Sequence, residues 1–128
     1  MKVLITGGSG LVGSKLTKML TNKGVEVIWL SRKAGIQSGI KAYAWDYKTD
    51  FIDGNAFNGV THIIHLAGAG VFDKRWTKAY KKEIYDSRVK ATQLLVREAA
   101  KHPNIQACIC ASAIGIYGNS LENDLLNE

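Results

Sequence analysis

Three glycines, Gly7, Gly10 and Gly13, stand three apart in the run TGGSGLVG, and what they offer chemically is the absence of side chains. A tight turn needs a residue free to take unusual dihedrals, a pyrophosphate close to the backbone needs a missing Cβ, and a helix lying close on a strand needs a third small residue. If a helix opens here, the N–H groups of Leu11, Val12 and Gly13 have no partner within it and can face phosphate oxygens. A plain glycine-rich turn is the alternative, and the flanking elements decide between them. About twenty residues on, where a site for an unphosphorylated ribose commonly carries a carboxylate, the chain reads Ser31-Arg32-Lys33. Ser31 can donate a hydrogen bond and Arg32 offers a fork of donors, which favours NADP, with NAD as the alternative. Read without a ligand, Arg32 and Lys33 are a solvated loop.

These residues need elements to place them. Residues 1–6 are a β-rich apolar run, the pattern of a strand buried on both faces. Behind the glycines, Val12, Leu16, Met19 and Leu20 recur on helical spacing with Lys15, Lys18 and Lys23 off that stripe, which predicts an amphipathic helix ended by Gly24. Strand, glycine turn and helix are therefore contiguous. Residues 25–30 read as a second strand and 41–47 as a third, in which Tyr43, Trp45 and Tyr47 alternate, with a loop between Gly35 and Gly39. Over residues 49–60 the pattern is weak, and Gly54 and Gly59 leave room for one short helix at most. Residues 62–67 form a fourth strand. Residues 76–101 carry Ile84, Ala91, Leu94, Leu95 and Ala99 on helical spacing, as one helix or two, before Pro103 bars continuation, and residues 105–111 form a fifth strand. This alternation predicts an α/β, Rossmann-type doubly wound parallel sheet in the strand order 3-2-1-4-5. Leu66, Ala67 and Gly68 then end the fourth strand at the carboxyl edge, where ligands of open α/β sheets bind and small residues let a cofactor's ribose and nicotinamide pass close. A packing role is the alternative there.

TGGSGLVG, HLAGAG after the fourth strand and SAIGIYG after the fifth together resemble the extended short-chain dehydrogenase/reductase superfamily, the NAD-dependent epimerase/dehydratase group. The segment RWTKAYKKEIYDSRVKATQLL, with Trp76, Lys82, Ser87, Arg88 and Thr92, is similar to the sugar-nucleotide-epimerase-like branch of that group. The resemblance runs along nearly the whole chain. It implies part of an NADP-dependent oxidoreductase or epimerase acting on a sugar-nucleotide-like or other hydroxyl or carbonyl substrate, or else a non-catalytic module that binds or senses NADP(H). Asp46 resembles the aspartate that bonds the adenine amino group in such proteins; an exposed turn aspartate is the alternative. The resemblance further implies a Ser or Thr hydroxyl and a YxxxK pair, whose lysine lowers the tyrosine pKa so that a phenol exchanges a proton while hydride moves. None of the five tyrosines has a lysine four residues on. In the family that pair follows SAIGIYG, which implies that residues 1–128 are the N-terminal portion of the dinucleotide-binding domain, cut before the last strands and without the C-terminal substrate domain. The family's catalytic Ser/Thr column falls on Ala113, leaving Ser112 as the catalytic candidate. The family's asparagine before the long-helix motif falls on Arg88, either a binder of an acidic substrate group or a surface arginine.

The remaining features bound the alternatives. With 128 residues, 46% hydrophobic and 22% charged, the chain reads as one globular domain rather than a disordered or collagen-like one. Its apolar runs are too short to span a bilayer and no charged leader opens it, so the expected location is cytoplasmic, without membrane. Cys108 and Cys110, two apart in a strand, point the same way and strain a disulfide, which predicts reduced core thiols. A net charge of +6 suggests anionic company. Lys74, Arg75, Lys78, Lys81 and Lys82 interleave with Trp76 and Tyr80, but Asp73, Glu83 and Asp86 dilute the run, which reads as a solvated helix face and not a nucleic-acid patch. His62, His65 and His102 lack neighbours at ligand spacing, so no metal site is expected; His65 falls near the cofactor edge. An unpaired edge on the fifth strand predicts self-association, as a homodimer or aggregate.

Overall fold

The computed structural model describes residues 1–112. Ala113 and the rest of the SAIGIYG motif after Ser112 lie outside them. In chain order the elements are β1 (Lys2–Thr6), α1 (Leu11–Asn22), β2 (Glu26–Ser31), β3 (Gly35–Gln37), β4 (Ile40–Asp46), β5 (Phe51–Ile52), a 3-10 turn (Gly54–Phe57), β6 (His62–His65), α2 (Lys78–Ala99) and β7 (Ala107–Cys110). β4, β2, β1, β6 and β7 are parallel neighbours in that order, which is the anticipated 3-2-1-4-5. The sheet differs by two antiparallel additions, β3 and β5, both paired with β4.

Those additions fall where the sequence reads as loop or as weak pattern. Gln37 pairs with Ile40 across Ser38 and Gly39, whose φ angles are 49° and 79°. Two consecutive positive φ values suit a two-residue hairpin turn, and the Ser-Gly pair is its sequence signal. Over residues 49–60 the Asp53 carboxylate accepts from Asn55 N at 3.0 Å and starts the 3-10 turn, which drives Ala56 and Phe57 into the core.

Strand alternation sends side chains to opposite faces. Val3 and Ile5 of β1, with Val27, Trp29 and Ala42, pack under α1 against Leu16 and Leu20. Leu4, Ile28, Leu30, Trp45 and Ile63 face the other way, onto Ala91, Leu94 and Leu95 of α2 and onto Phe57. Tyr43, and Tyr47 one residue past the end of β4, join that second face with Trp45, so the three alternating aromatics share one face although the strand ends at Asp46 rather than Tyr47.

α1 ends as its glycine demands: Gly24, at φ +77°, donates to Thr21 O at 2.9 Å while Val25 N donates to Leu20 O at 3.1 Å. The buried face of this helix is not the predicted stripe. Val12 and Met19 are more than half exposed, whereas Gly13 and Thr17 are buried with Leu16 and Leu20 beside them. The helix is turned so that its residue without a side chain meets the glycine loop. α2 is one helix, not two, and begins after Trp76 with Thr77 Oγ1 accepting from Tyr80 N at 3.1 Å. On β7 the two thiols point the same way, Sγ atoms 4.0 Å apart and free. They are exposed rather than in the core, because among the described residues β7 has a neighbour only on its β6 side.

Candidate functional site

A groove of about 730 Å³ opens at the carboxyl ends of β1, β2, β4 and β6. One wall is the glycine loop; the floor and far wall come from residues 29–32, 45–48 and 66–70, and α2 closes the side with Tyr80, Glu83 and Ser87. The fold thus brings Gly7, Gly10, Ser31, Arg32, Asp46, Leu66, Ala67 and Gly68 into one concavity, although they are spread from residue 7 to residue 68 of the sequence.

The glycines divide the work. Gly7 turns the chain at φ +72°, and a Cβ there would meet Ala67 N and the Leu66 carbonyl carbon at 3.0 Å. A Cβ on Gly13 would collide with Gly7 O, so this glycine is what lets α1 descend onto the loop. Gly10 is different: a Cβ would meet only Gly7 O, at 3.3 Å, and the rest of its surroundings is open. Gly10 is also the N-cap of α1, with no capping side chain and no acid in the first turn. The first backbone bond of the helix runs from Ser14 N to Gly10 O, so among the described residues the N–H groups of Leu11, Val12 and Gly13 have no partner, leaving a positive helix end beside the groove. The Leu11 and Val12 side chains point to solvent, so those two residues contribute backbone only.

A fourth glycine, Gly8, escapes a reading based on three-residue spacing. A Cβ on it would collide with the Trp29 indole, whose Nε1 donates to Thr17 Oγ1 at 3.0 Å. Loop, helix and β2 are therefore locked through one buried tryptophan. The polar Thr17 inside an otherwise apolar helical face was the available signal.

At the end of β2, the β3–β4 hairpin holds the Ser31-Arg32-Lys33 segment. Gln37 Nε2 donates to Lys33 O at 2.5 Å and to Ser31 Oγ at 3.1 Å. Arg32 lines the groove, is exposed, and makes no ion pair among the described residues. Lys33 is exposed just outside the lining residues. Asp46 is half-buried rather than exposed; its Oδ1 accepts from Lys48 N at 2.9 Å, as in a turn, and the residue lines the groove.

The loop after β6 is fastened from two sides. Thr6 Oγ1 accepts from Leu66 N and Ala67 N, both at 3.1 Å, while Ser87 Oγ accepts from Ala69 N at 2.9 Å. Arg88 donates to Ala69 O and to Ile84 O at 3.1 Å, with its guanidinium lying on Gly68. It is therefore already engaged in shaping this loop. Tyr80 donates its hydroxyl to Gly70 O, and Trp76 its indole N–H to Val71 O at 2.6 Å. In the basic run, Lys82 pairs with Asp86, and Lys74 and Lys81 lie over the rings of Tyr80 and Trp76. Ser112 is exposed, two residues past β7 on the same carboxyl edge, and is not among the groove's lining residues. Among the described residues no helix is long and apolar enough to cross a membrane, and no three His, Cys, Asp or Glu side chains gather as a metal would require.

The sequence matches the profile of the NAD dependent epimerase/dehydratase family over residues 3–127. The epimerase family protein YfhF of Bacillus subtilis is 38% identical over an alignment that covers 100% of this chain and 43% of that protein. The human epimerase family protein SDR39U1, solved with NADPH, superposes with a TM-score of 0.76 at 31% identity, over 94% of this chain and 39% of its own. A nucleoside-diphosphate sugar epimerase from Corynebacterium glutamicum gives 0.74 at 33%, over 97% of this chain and 25% of its own. The chain spans 38% to 43% of the length of the curated relatives it matches. With its glycine loop, parallel sheet and carboxyl-edge groove, the chain belongs to the NAD-dependent epimerase/dehydratase family.

Proposed function

We propose that this chain is the dinucleotide-binding part of an NADP-dependent oxidoreductase or epimerase, with a sugar-nucleotide-like or other hydroxyl or carbonyl compound as substrate. The observation that carries the reading is the first turn of α1: three N–H groups without partners among the described residues and no acid, opening beside Gly10 onto a groove that also holds Arg32, which makes no ion pair among those residues. A pyrophosphate fits this end, where a side chain at Gly10 would intrude. Arg32 and Ser31 would receive a 2′-phosphate, Asp46 the adenine, and Leu66, Ala67 and Gly68 the ribose and nicotinamide. When bound, the nicotinamide supplies hydride exchange with a carbonyl or alcohol. The chain's own residues bind and orient, and Ser112 is the hydroxyl candidate at that edge. The human relative's NADPH supports the phosphorylated cofactor, and the Corynebacterium relative's name the sugar-nucleotide class. A non-catalytic NADP(H)-binding or sensing module is the second reading.

The test is direct binding. Trp29 and Trp45 line the groove, so bound reduced nicotinamide should quench their emission by energy transfer. Saturable quenching by NADPH, tighter than by NADH, is expected; no saturable quenching by either would overturn the reading.

A further inference from the structure

Beneath the groove, a chain of hydrogen bonds holds Leu66 and Ala67, and the direction of each bond follows from counting lone pairs. Thr6 Oγ1 accepts from the N–H of Ala67 and from that of Leu66, which it shares with the Thr6 carbonyl at 3.1 Å, so both of its lone pairs face donors. Its remaining contact, with His65 Nδ1 at 2.6 Å, is therefore one in which the hydroxyl donates, and Nδ1 carries no proton. The neutral ring then holds its proton on Nε2 and donates to Thr92 Oγ1 at 3.1 Å, while Thr92 donates its own to Arg88 O at 2.6 Å. The ring is 5% exposed and edge-on to Trp45, centroids 6.0 Å apart. Thr6 meets it from β1, Trp45 from β4, and Thr92 from α2, next to the cationic Arg88; on β7 the register partner is the thiol of Cys110. Among the described residues no carboxylate pairs with it.

We propose that His65 is a positioning residue for nucleotide binding: its neutral, Nε2-protonated ring holds Thr6, and through Thr6 the Leu66–Ala67 floor, and a proton on Nδ1 releases that floor. A second ring proton would aim an N–H at an oxygen whose lone pairs are both in use, so one of the three bonds at Thr6 must break. The phosphate side feels the change as well, because Gly7 packs directly against Ala67 N. Burial already disfavours the charged ring, so release falls below the ordinary imidazole range. The proposal rests on the groove being the nucleotide site.

The experiment follows the ring nitrogens of His65, the amide exchange of Leu66 and Ala67, and NADPH affinity between about pH 5 and 8, in the native chain, His65→Asn and His65→Leu. An Nε2–H ring at neutral pH is expected, with slow Leu66 and Ala67 exchange that quickens as the ring titrates and affinity falling about tenfold over the same step, as the loss of one hydrogen bond implies. His65→Asn, whose Oδ1 accepts the Thr6 proton in place of Nδ1, keeps neutral-pH binding and loses the pH step. His65→Leu binds about tenfold more weakly; should it fail to fold, the ring tautomer and the Asn profile decide. An Nδ1–H ring, or a pH step that persists in His65→Asn, overturns the proposal and leaves the nucleotide reading intact. An Nε2–H ring with coupled amide exchange but no NADPH binding at any pH overturns the nucleotide reading, and with it His65's role there, while the network itself stands.

Discussion

Replacing Arg32 by alanine separates the two cofactors, because the guanidinium would meet a group that only the phosphorylated one carries. The β3–β4 hairpin and Gln37 hold this loop without help from the arginine side chain, so the fold should not change. A charge-assisted hydrogen bond is worth about 1.5–3 kcal/mol. Arg32 is exposed and solvent screens it, which places the loss at the lower end, roughly 1.5 kcal/mol or about tenfold in affinity. Titrations of Trp29 and Trp45 emission should show NADPH weakened by that factor and NADH within about twofold of the native chain. Arg32→Lys should fall between, since an ammonium lacks the planar fork. Raising salt from about 0.1 M to 1 M shortens the screening length from roughly 10 Å to 3 Å and should shrink the native preference. Equal losses for both nucleotides in Arg32→Ala, or equal native affinities, would refute the assignment of this loop to a 2′-phosphate.

The glycine loop separates binding from stability: Gly10→Val should abolish NADPH quenching with the far-UV spectrum retained, whereas Gly13→Ala, whose Cβ collides with Gly7 O, should cost about 1–3 kcal/mol in urea unfolding. Leu95→Ala removes a fully buried side chain from the α2 face and should cost about 2–5 kcal/mol by the same measurement. Acid should weaken the fold through His65: its folded pKa lies below the ordinary 6.5, so the unfolded chain takes up the proton first. Stability present above about pH 6.5 declines as pH falls toward the folded value, and the urea midpoint of His65→Asn should decline less over that window. The 128-residue chain should show no steady-state oxidation of NADPH with a panel of carbonyl compounds, for want of a tyrosine–lysine acid/base worth about 10²–10⁴-fold; sustained turnover abolished by Ser112→Ala would reverse that expectation.

The glycine loop, the flanking strand and helix and the parallel order were legible in the sequence, because each depends on local periodicity or on a backbone with little room for a Cβ. The resemblance carried by TGGSGLVG, HLAGAG and the RWT segment reached the family that residues 3–127 match. Tertiary packing alone decided which face α1 buries, since the absence of a side chain at Gly13 outweighed the apolar stripe through Val12 and Met19. It also decided that Gly8 must be glycine, because the atom that forbids a Cβ belongs to Trp29, twenty-one residues away. The partners of His65 lie on three elements, Thr6 on β1, Trp45 on β4 and Thr92 on α2. No spacing rule joins residues 6, 45, 65 and 92; only the sheet order places them around one ring, and the tautomer follows from that meeting.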